Sequence, residues 1–315
     1  MKGKIAVIGA LTNFGRSLLD YLAETGWPAK DIFALDPHTK PDIKIPYRDI
    51  FLPVLPLESF HFHQVRLCFL CLPALMTDDR DAILQSGSFL IDCVGILENA
   101  PCIIASLNLK EARKSRLISN PTAPTIALAQ VLCPIDRRFG LQEAQATILL
   151  SAGLFGTAAI QDLVAQSRCL FTREEPQLNF FPKVQAFNLI PDISPALNRK
   201  TATQIKSLLK FPIAVSSCLT PVFQGDCYSL TFTTKTKTSL SDLHQVCMTS
   251  CRFDNAFATD LGLSTQDILF GDTAYISRLS IIPFRRNTYH LWILCDSLRI
   301  GAIPNAVQIA DYLLS

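Results

Sequence analysis

The stretch Lys4-Ile-Ala-Val-Ile-Gly-Ala-Leu-Thr-Asn-Phe-Gly15 predicts a buried strand followed by a turn. It opens with a short apolar run of the kind that forms a fully buried strand. The run ends at Gly9, and a helical stripe of leucines follows over Arg16–Glu24. A buried strand, a glycine-containing turn and an amphipathic helix, in this order, begin a doubly wound α/β domain.

The alternation of strand and helix continues toward residue 120. Apolar runs predict further strands at Ile32–Leu35, Leu67–Leu72, Phe89–Asp92, Pro101–Ile104 and Ser115–Ile118. A helix is predicted over Asp79–Gln85, and the prolines from Pro41 to Pro56 indicate a surface excursion. Strands that alternate with helices predict parallel strands joined by helical crossovers. The fold class is therefore α/β, with a Rossmann-type doubly wound parallel sheet.

The second half of the chain has a different pattern. Asn120-Pro121 interrupts the alternation, and a helix starts over Pro124–Leu132. The longer predicted strands are Ala146–Leu150, Ile213–Cys218, Ser229–Thr233 and His290–Cys295, with helices at Thr157–Gln166 and Thr203–Leu209. This pattern indicates an α+β domain with a mixed or mostly antiparallel sheet. The chain closes with an amphipathic helix over Pro304–Leu314.

Composition excludes several classes of function. Hydrophobic residues make up 49% of the chain and charged residues 18%, and the net charge is +2. We therefore expect a globular protein that binds neither nucleic acid nor a membrane surface. No apolar run is long enough to span a bilayer and the N-terminus lacks a secretory pattern, so we expect a cytoplasmic protein. The eleven cysteines and five histidines show no metal-ligand spacing, so no metal is expected.

The first turn is a candidate dinucleotide site, because backbone N–H groups and a helix N-terminus hold a pyrophosphate there. The middle position of the turn is Thr12, whose Cβ is expected to crowd a close phosphate. Asp36 ends the second strand, where a carboxylate binds a ribose hydroxyl and repels a 2′-phosphate. This chemistry favours NAD over NADP, although Asp36-Pro37 is equally consistent with a simple turn. The candidate residues are Gly9, Leu11, Thr12, Asn13, Phe14, Gly15 and Asp36.

Four separated segments resemble aspartate-semialdehyde dehydrogenase. They are Gly9–Gly15, Asn120–Thr125, Gln185–Pro191 and Leu298–Ala310, and their order and spacing fit along essentially the whole chain. The resemblance implies a dinucleotide-binding domain at 1–124 completed by 302–315, and a dimerisation domain at 125–301. It also implies a homodimer and an NADP-dependent, phosphate-using reaction.

The same resemblance implies that the catalytic positions are degenerate. The family motif Asn-Pro-x-Cys-Ser/Thr-Thr matches Asn120-Pro-Thr-Ala-Pro-Thr125, so Ala123 stands at the nucleophile position. A methyl group cannot attack an aldehyde, whereas a thiolate at a helix N-terminus can. The remaining altered positions are Asp226 for the general-base histidine, Leu219 for a substrate arginine, Glu98 for a phosphate arginine and Leu150 for a glutamine. The pattern is similar to that of Usg-type homologues, which keep the scaffold without the cysteine.

Two further features bear on function. Cys93 and Cys227 are the candidates for a relocated nucleophile, but neither is placed by the sequence at a helix N-terminus. Asn305 matches a family position near the nicotinamide, or else it ties the C-terminal helix to the first domain. Three functions follow as alternatives: an inactive relative that binds a dinucleotide, an active NAD(P)-dependent oxidoreductase with altered residues, or a purely structural or interaction protein.

Overall fold

The structure, a computed structural model, describes residues 3–37, 39–40, 42–97, 100–249, 251–253, 262–271 and 273–315. The chain divides into two units: 1–121 with 302–315 forms the first, and 122–301 forms the second. The boundary expected between residues 124 and 125 falls just after this division, inside the first turn of a helix that begins at Ala123. Each unit is described by itself.

The first unit contains a seven-stranded sheet. Its strands are β1 (Ile5–Ile8), β2 (Ile32–Asp36), β3 (Lys44–Tyr47), β4 (Ile50–Pro56), β5 (Leu67–Leu70), β6 (Phe89–Asp92) and β7 (Leu117–Ser119). Their order is β3-β4-β2-β1-β5-β6-β7, and every pair except β3–β4 is parallel. The helices are α1 (Asn13–Glu24), α2 (Thr77–Gln85), α3 (Ala105–Asn108) and α9 (Ala302–Leu314). The predicted doubly wound sheet is confirmed.

The side chains of the parallel strands alternate between two apolar cores. Val7, Phe69 and Ile91 pack with the apolar face of α9 on one side of the sheet. Cys68 packs on the other side, while Cys71 lies in the first core. The two cysteines therefore point to opposite faces, as the strand alternation predicts.

Two predictions for this unit are wrong. The prolines between Pro41 and Pro56 do not mark an excursion, because β3 and β4 form a hairpin that joins the sheet. Pro46 and Pro53 occupy exposed positions that alternate with buried ones, and β3 is an edge strand, where proline is tolerated. The stretch Pro101–Ile104 makes only one bridge, between Cys102 and Ser119. The Asn108 side chain bonds to the backbone there instead of a neighbouring strand. Its Oδ1 accepts from Ile104 N–H, and its Nδ2 donates to the Cys102 carbonyl.

The second unit contains a mixed seven-stranded sheet. Its strands are β8 (Leu141–Leu150), β9 (Ile190–Pro191), β10 (Ile213–Leu219), β11 (Asp226–Thr234), β12 (Arg252–Phe253), β13 (Tyr275–Ile281) and β14 (Thr288–Cys295), in the order β12-β13-β14-β11-β8-β10-β9. Its helices are α4 (Ala123–Phe139), α5 (Thr157–Thr172), α6 (Pro195–Leu209), α7 (Leu240–Cys247) and α8 (Ser297–Ile300). The expected mixed sheet is confirmed, with β8–β10 parallel and β8–β11–β14 antiparallel.

Candidate functional site

The turn between β1 and α1 requires its two glycines. Gly9 has a φ of +88°, a backbone conformation that other residues adopt at a cost. A Cβ at Gly15 would lie 2.1 Å from the Gly9 carbonyl oxygen, so α1 can approach the strand this closely only with glycine there. The sequence thus builds the close strand-to-helix turn that is typical of Rossmann-type sheets.

Thr12 has a role in this turn that its position alone did not reveal. It is the N-cap of α1: its hydroxyl accepts from Gly15 N–H at 3.0 Å and donates to the Gly9 carbonyl at 2.7 Å. One donor of the helix N-terminus is therefore used inside the turn. The N–H groups of Asn13 and Phe14 have no acceptor within the described part of the chain. These two donors, at the positive end of α1, remain for an anion.

Asp36 lies against the turn and is almost completely buried. Its Oδ2 accepts from Leu11 N–H at 3.2 Å. Next to this bond, Gly9 and Ala10 donate their N–H groups to the Leu35 carbonyl. The structure thus brings Asp36 together with Gly9 and Leu11, and the carboxylate orders the turn through one oxygen.

Asn305 is fully occupied by contacts inside the first unit. Its Nδ2 donates to the Ile103 carbonyl at 2.9 Å and to Asn120 Oδ1 at 2.7 Å, and its Oδ1 accepts from Ala105 N–H at 2.8 Å. Asn120 in turn donates to the Ala302 carbonyl. These contacts use both amide hydrogens and favour the alternative in which Asn305 anchors the C-terminal helix α9.

In the second unit, the position that the resemblance assigns to the nucleophile is the first residue of α4. Thr122 is the N-cap, Ala123 follows it, and the methyl group of Ala123 is nearly buried. A Cβ built on Gly301 would lie 3.4 Å from the Ala123 Cβ, so these two small residues are close neighbours. The predicted helix start at Pro124 falls one residue after the observed start, and proline is favoured in the first helical turn.

Hydroxyl and amide groups surround this helix start. Thr122 Oγ1 lies 2.8 Å from Thr125 Oγ1 and 3.1 Å from Thr201 Oγ1. Gln204 Oε1 accepts from Thr122 N–H at 3.1 Å and from Thr125 Oγ1 at 2.7 Å. None of these four side chains carries a charge, and they form hydrogen bonds with one another. They hold α6 against the start of α4.

The positions that match a substrate arginine and glutamine hold neighbouring leucines. Leu219 and Leu150 are register partners at the ends of parallel strands β10 and β8, so their side chains point to the same face of the sheet. Ile190 pairs with Leu219 from β9, and all three side chains are buried. An apolar strip across three strands therefore occupies this edge of the sheet.

Asp226 begins β11 and is completely buried. Its Oδ1 accepts from Ser151 N–H at 2.7 Å and from Ser151 Oγ at 2.8 Å, and its Oδ2 accepts a short hydrogen bond from Ser297 Oγ. The pKa of Asp226 is raised to about 6, mainly by burial and in part by the nearby Asp296 carboxylate. The hydrogen bonds from the two serines act in the opposite direction and lower the pKa. The carboxyl group joins the end of β8, the start of β11 and the start of α8.

The serine partners of Asp226 and the partners of the α4 N-terminus were not found from the sequence. Ser151 and Ser297 lie 75 and 71 residues from Asp226 in the chain. Thr201 and Gln204 are as distant from Thr122 and Thr125. Isolated serines, threonines and glutamines carry no spacing signal. Glu98, the position matched to a phosphate arginine, lies outside the described residues.

The cysteines of this chain are free thiols, and most of them are buried. All eleven lie in the described part of the chain, none is disulfide-bonded, and none lies in the first turn of a helix. Burial raises the pKa of Cys227 to about 11, helped by the charge of Asp226, and that of Cys133 to about 12. Cys93 is buried, with its Sγ 3.7 Å from the Ile91 carbonyl oxygen.

The described residues hold neither a cluster of metal ligands nor a membrane-spanning helix. No three side chains of His, Cys, Asp or Glu come together there as metal ligands would. In the same residues, no helix has both the length and the apolar character needed to cross a membrane.

Comparison with known proteins places these features in context. No protein-family model matches the chain. An aspartate-semialdehyde dehydrogenase of Rickettsia bellii is 29% identical over 342 residues, covering 99% of this chain and 98% of the relative. A USG-1 protein homolog of Azotobacter vinelandii is 25% identical, covering 98% of this chain and 97% of the relative.

Solved structures agree with these relatives. Aspartate-semialdehyde dehydrogenase II of Vibrio cholerae, complexed with ASA, has a TM-score of 0.84 at 21% identity and covers 99% and 98% of the two chains. The enzyme of Candida albicans with NADP has a TM-score of 0.73 at 14% identity, with the same coverage. The chain is thus similar over nearly its full length to these dehydrogenases and to a USG-1 homolog, and its fold is that of aspartate-semialdehyde dehydrogenase.

Proposed function

We propose that this chain is an aspartate-semialdehyde dehydrogenase-like protein that does not catalyse the family reaction and acts instead by binding a dinucleotide as a homodimer. One observation carries the proposal: the first residue of α4, where the dehydrogenase reaction needs a thiol, is Ala123. The positive end of a helix lowers the pKa of a thiol and so supplies the thiolate that forms the thioester. A methyl group gives that helix end nothing to activate.

The surrounding groups support loss of the whole reaction rather than of one atom. The hydroxyls of Thr122 and Thr125 are held by each other and by α6, and no basic group bonds to them in the described residues. Leu150 and Leu219 cannot bind a substrate carboxylate. Asp226, when ionised, would repel one. Restoring a single group should therefore not restore turnover.

The substitution Ala123→Cys tests this directly. We expect no phosphate-dependent oxidation of aspartate semialdehyde above the unmodified protein, although the new thiol should react with iodoacetamide faster than the native cysteines. Ala123→Ser is the matched control, since it adds a hydroxyl of similar size without a thiolate. Measurable dehydrogenase turnover in Ala123→Cys would contradict the loss of several groups at once.

The turn of the first unit supports dinucleotide binding. Gly9 and Gly15 let the strand and the helix approach each other closely. The N–H groups of Asn13 and Phe14 are available to a pyrophosphate. The buried Asp36 carboxylate favours a ribose with free hydroxyls, so NAD should bind more tightly than NADP. When bound, the nicotinamide cofactor would supply hydride-transfer chemistry, and the residues of the turn would only hold it.

Calorimetric titration with each nucleotide measures this preference. We expect saturable binding of NAD, weaker binding of NADP, and loss of both in Gly15→Ala, whose Cβ collides with the Gly9 carbonyl. In Asp36→Ser the repulsion of a 2′-phosphate disappears, so the preference should move toward NADP. Absence of any binding up to millimolar nucleotide would leave only the structural or interaction role.

An exposed apolar surface on the second unit supports a homodimer. Phe171 and Phe187 are 78% and 70% exposed, and their rings meet edge to face with centroids 5.7 Å apart. Leu170 and Leu189, which are near them in the sequence, are 41% and 63% exposed. In a two-fold dimer the same patch of both copies would meet, and these side chains would form its apolar centre.

Sedimentation velocity tests the homodimer. The double substitution Phe171→Ser with Phe187→Ser should convert a dimer to a monomer. Phe284→Ser is the matched control, because Phe284 is fully exposed on the hairpin between β13 and β14. A dimer that withstands the double substitution, or a wild-type monomer at tens of micromolar, would contradict this interface.

The likeness to dehydrogenases favours an active oxidoreductase as a second candidate. A pKa of about 6 at Asp226 lies near the range of a general base at neutral pH. Under this alternative, Asp226→Asn abolishes an NAD(P)-dependent turnover of some aldehyde without loss of stability. Under the proposed function the wild-type protein has no such turnover to lose.

A further inference from the structure

Two thiols lie side by side at the carboxyl ends of neighbouring strands in the first unit. Leu70 of β5 and Asp92 of β6 are register partners. Cys71 and Cys93 are the first residues after the two strands, and Cys93 N–H donates to the Leu70 carbonyl at 3.0 Å, a bond of the Leu70–Asp92 pair. The two cysteines therefore follow paired residues at the carboxyl ends of neighbouring strands.

Both side chains also point to the same face. Cys71 follows Phe69 and Cys93 follows Ile91 at the period-two spacing of strands, and all four belong to one apolar core. Neighbouring parallel strands lie about 4.8 Å apart. At this spacing the two Cα atoms would lie within the range of about 4.4–6.8 Å that disulfides span.

Cys71 also contacts the turn between β1 and α1. The Cys71 carbonyl oxygen lies 3.3 Å from Thr12 Oγ1, the hydroxyl that caps α1. A Cβ built on Gly9 would come within 3.0 Å of the Cys71 carbonyl carbon, so the two backbones are in contact. A covalent link at Cys71 would therefore be made directly beneath the Gly9–Gly15 turn.

We propose that Cys71 and Cys93 are a dithiol modification site that a peroxide oxidises reversibly to a disulfide. Cys93, which is 6% exposed against 2% for Cys71, loses its proton and attacks the peroxide, breaks the O–O bond and becomes a sulfenic acid while one water leaves. The Cys71 thiol then attacks that sulfur, the Sγ–Sγ bond forms, and the sulfenic oxygen leaves as a second water. Overall two thiols lose two electrons and two protons, and one hydrogen peroxide is reduced to two waters.

Peptide mapping tests the pairing. Cleavage after Arg66, Arg80 and Lys110 places Cys68 with Cys71 in one peptide, and Cys93 with Cys102 in the next. After peroxide treatment, alkylation and digestion without reductant, we expect these two peptides to be joined, with the loss of two hydrogen atoms and with reversal by dithiothreitol. The link should persist in Cys68→Ser and Cys102→Ser and disappear in Cys71→Ala and Cys93→Ala.

The controls follow from the structure. Cys68 is on the opposite face of the same strand and Cys102 is outside β6, so each differs from the proposed partner in placement rather than in chemistry. Alanine replaces the two thiols because both sites are apolar, and melting curves verify that the variants fold. The proposal is overturned if the link survives either alanine substitution. It is equally overturned if peroxide oxidises the partly exposed Cys169 and Cys218 while the two peptides stay separate.

Discussion

Replacing Asp226 by asparagine should stabilise the second unit at neutral and alkaline pH. Burial raises the pKa of this carboxyl group to about 6 in the folded protein, against the ordinary aspartate value of 3.8. Because the folded pKa is raised, the stabilisation from this group is complete below about pH 4 and is lost as the pH rises through about 6. The difference between the two pKa values corresponds to about 3 kcal/mol.

Asparagine can keep the three hydrogen bonds. Its Oδ1 accepts from Ser151 as the aspartate does, and its Nδ2 donates to Ser297 Oγ, whose hydroxyl can accept. Asp226→Asn should therefore be more stable than wild type by up to about 3 kcal/mol at pH 8, with the difference vanishing near pH 4.

Urea unfolding followed by tryptophan fluorescence measures this difference. Trp292 lies in β14 of the second unit and Trp27 in the first, so Trp27→Phe, carried in both proteins, isolates the relevant transition. The midpoint should shift with an unchanged urea dependence. A variant that is less stable than wild type by the same amount at pH 5 and pH 8 would refute the reasoning, since Asp226 would then contribute as a satisfied ion.

Three further predictions concern the hydrogen bonds of Ser297, Gln204 and Asn305. Ser297→Ala removes a hydrogen bond that lowers the pKa of Asp226, so its loss of stability in urea should be larger at pH 8 than at pH 5, by about 1–2 kcal/mol. Gln204→Leu leaves Thr122 N–H and the Thr125 hydroxyl without their acceptor and should lower the unfolding free energy by about 1–3 kcal/mol, whereas Gln204→Glu, which keeps an acceptor, should lose less. Asn305→Ala should speed hydrogen exchange of Ala105 N–H, which bonds to its side chain, while leaving α5 unchanged.

The sequence predicts the fold well because the fold rests on local patterns. The apolar run before Gly9, the turn to Gly15 and the alternation that follows each carry a period or a glycine that restricts the backbone. The hairpin of β3 and β4 escaped prediction because its prolines indicate a loop, and only the position of β3 at the sheet edge makes them compatible with a strand.

The candidate site was less predictable, because its contacts join residues that are distant in the chain. The alanine at the start of α4 and the leucines at the ends of β8 and β10 were found through the resemblance. Nothing in the sequence indicated that Ser151 and Ser297 would hold Asp226, or that Gln204 would bond at the start of α4. The hydrogen bonds of these side chains can be identified only in the folded protein, where distant strand ends and helix starts lie together.

The most direct test of the central claim is a turnover measurement on the wild-type protein. Aspartate semialdehyde is supplied with phosphate and either NAD or NADP, at protein concentrations of tens of micromolar, before and after alkylation of all accessible thiols. We expect no reduction of either nucleotide above the protein-free rate in either sample. Phosphate-dependent reduction that alkylation abolishes would show that a cysteine performs the chemistry that Ala123 cannot, and would contradict the proposed loss of the family reaction.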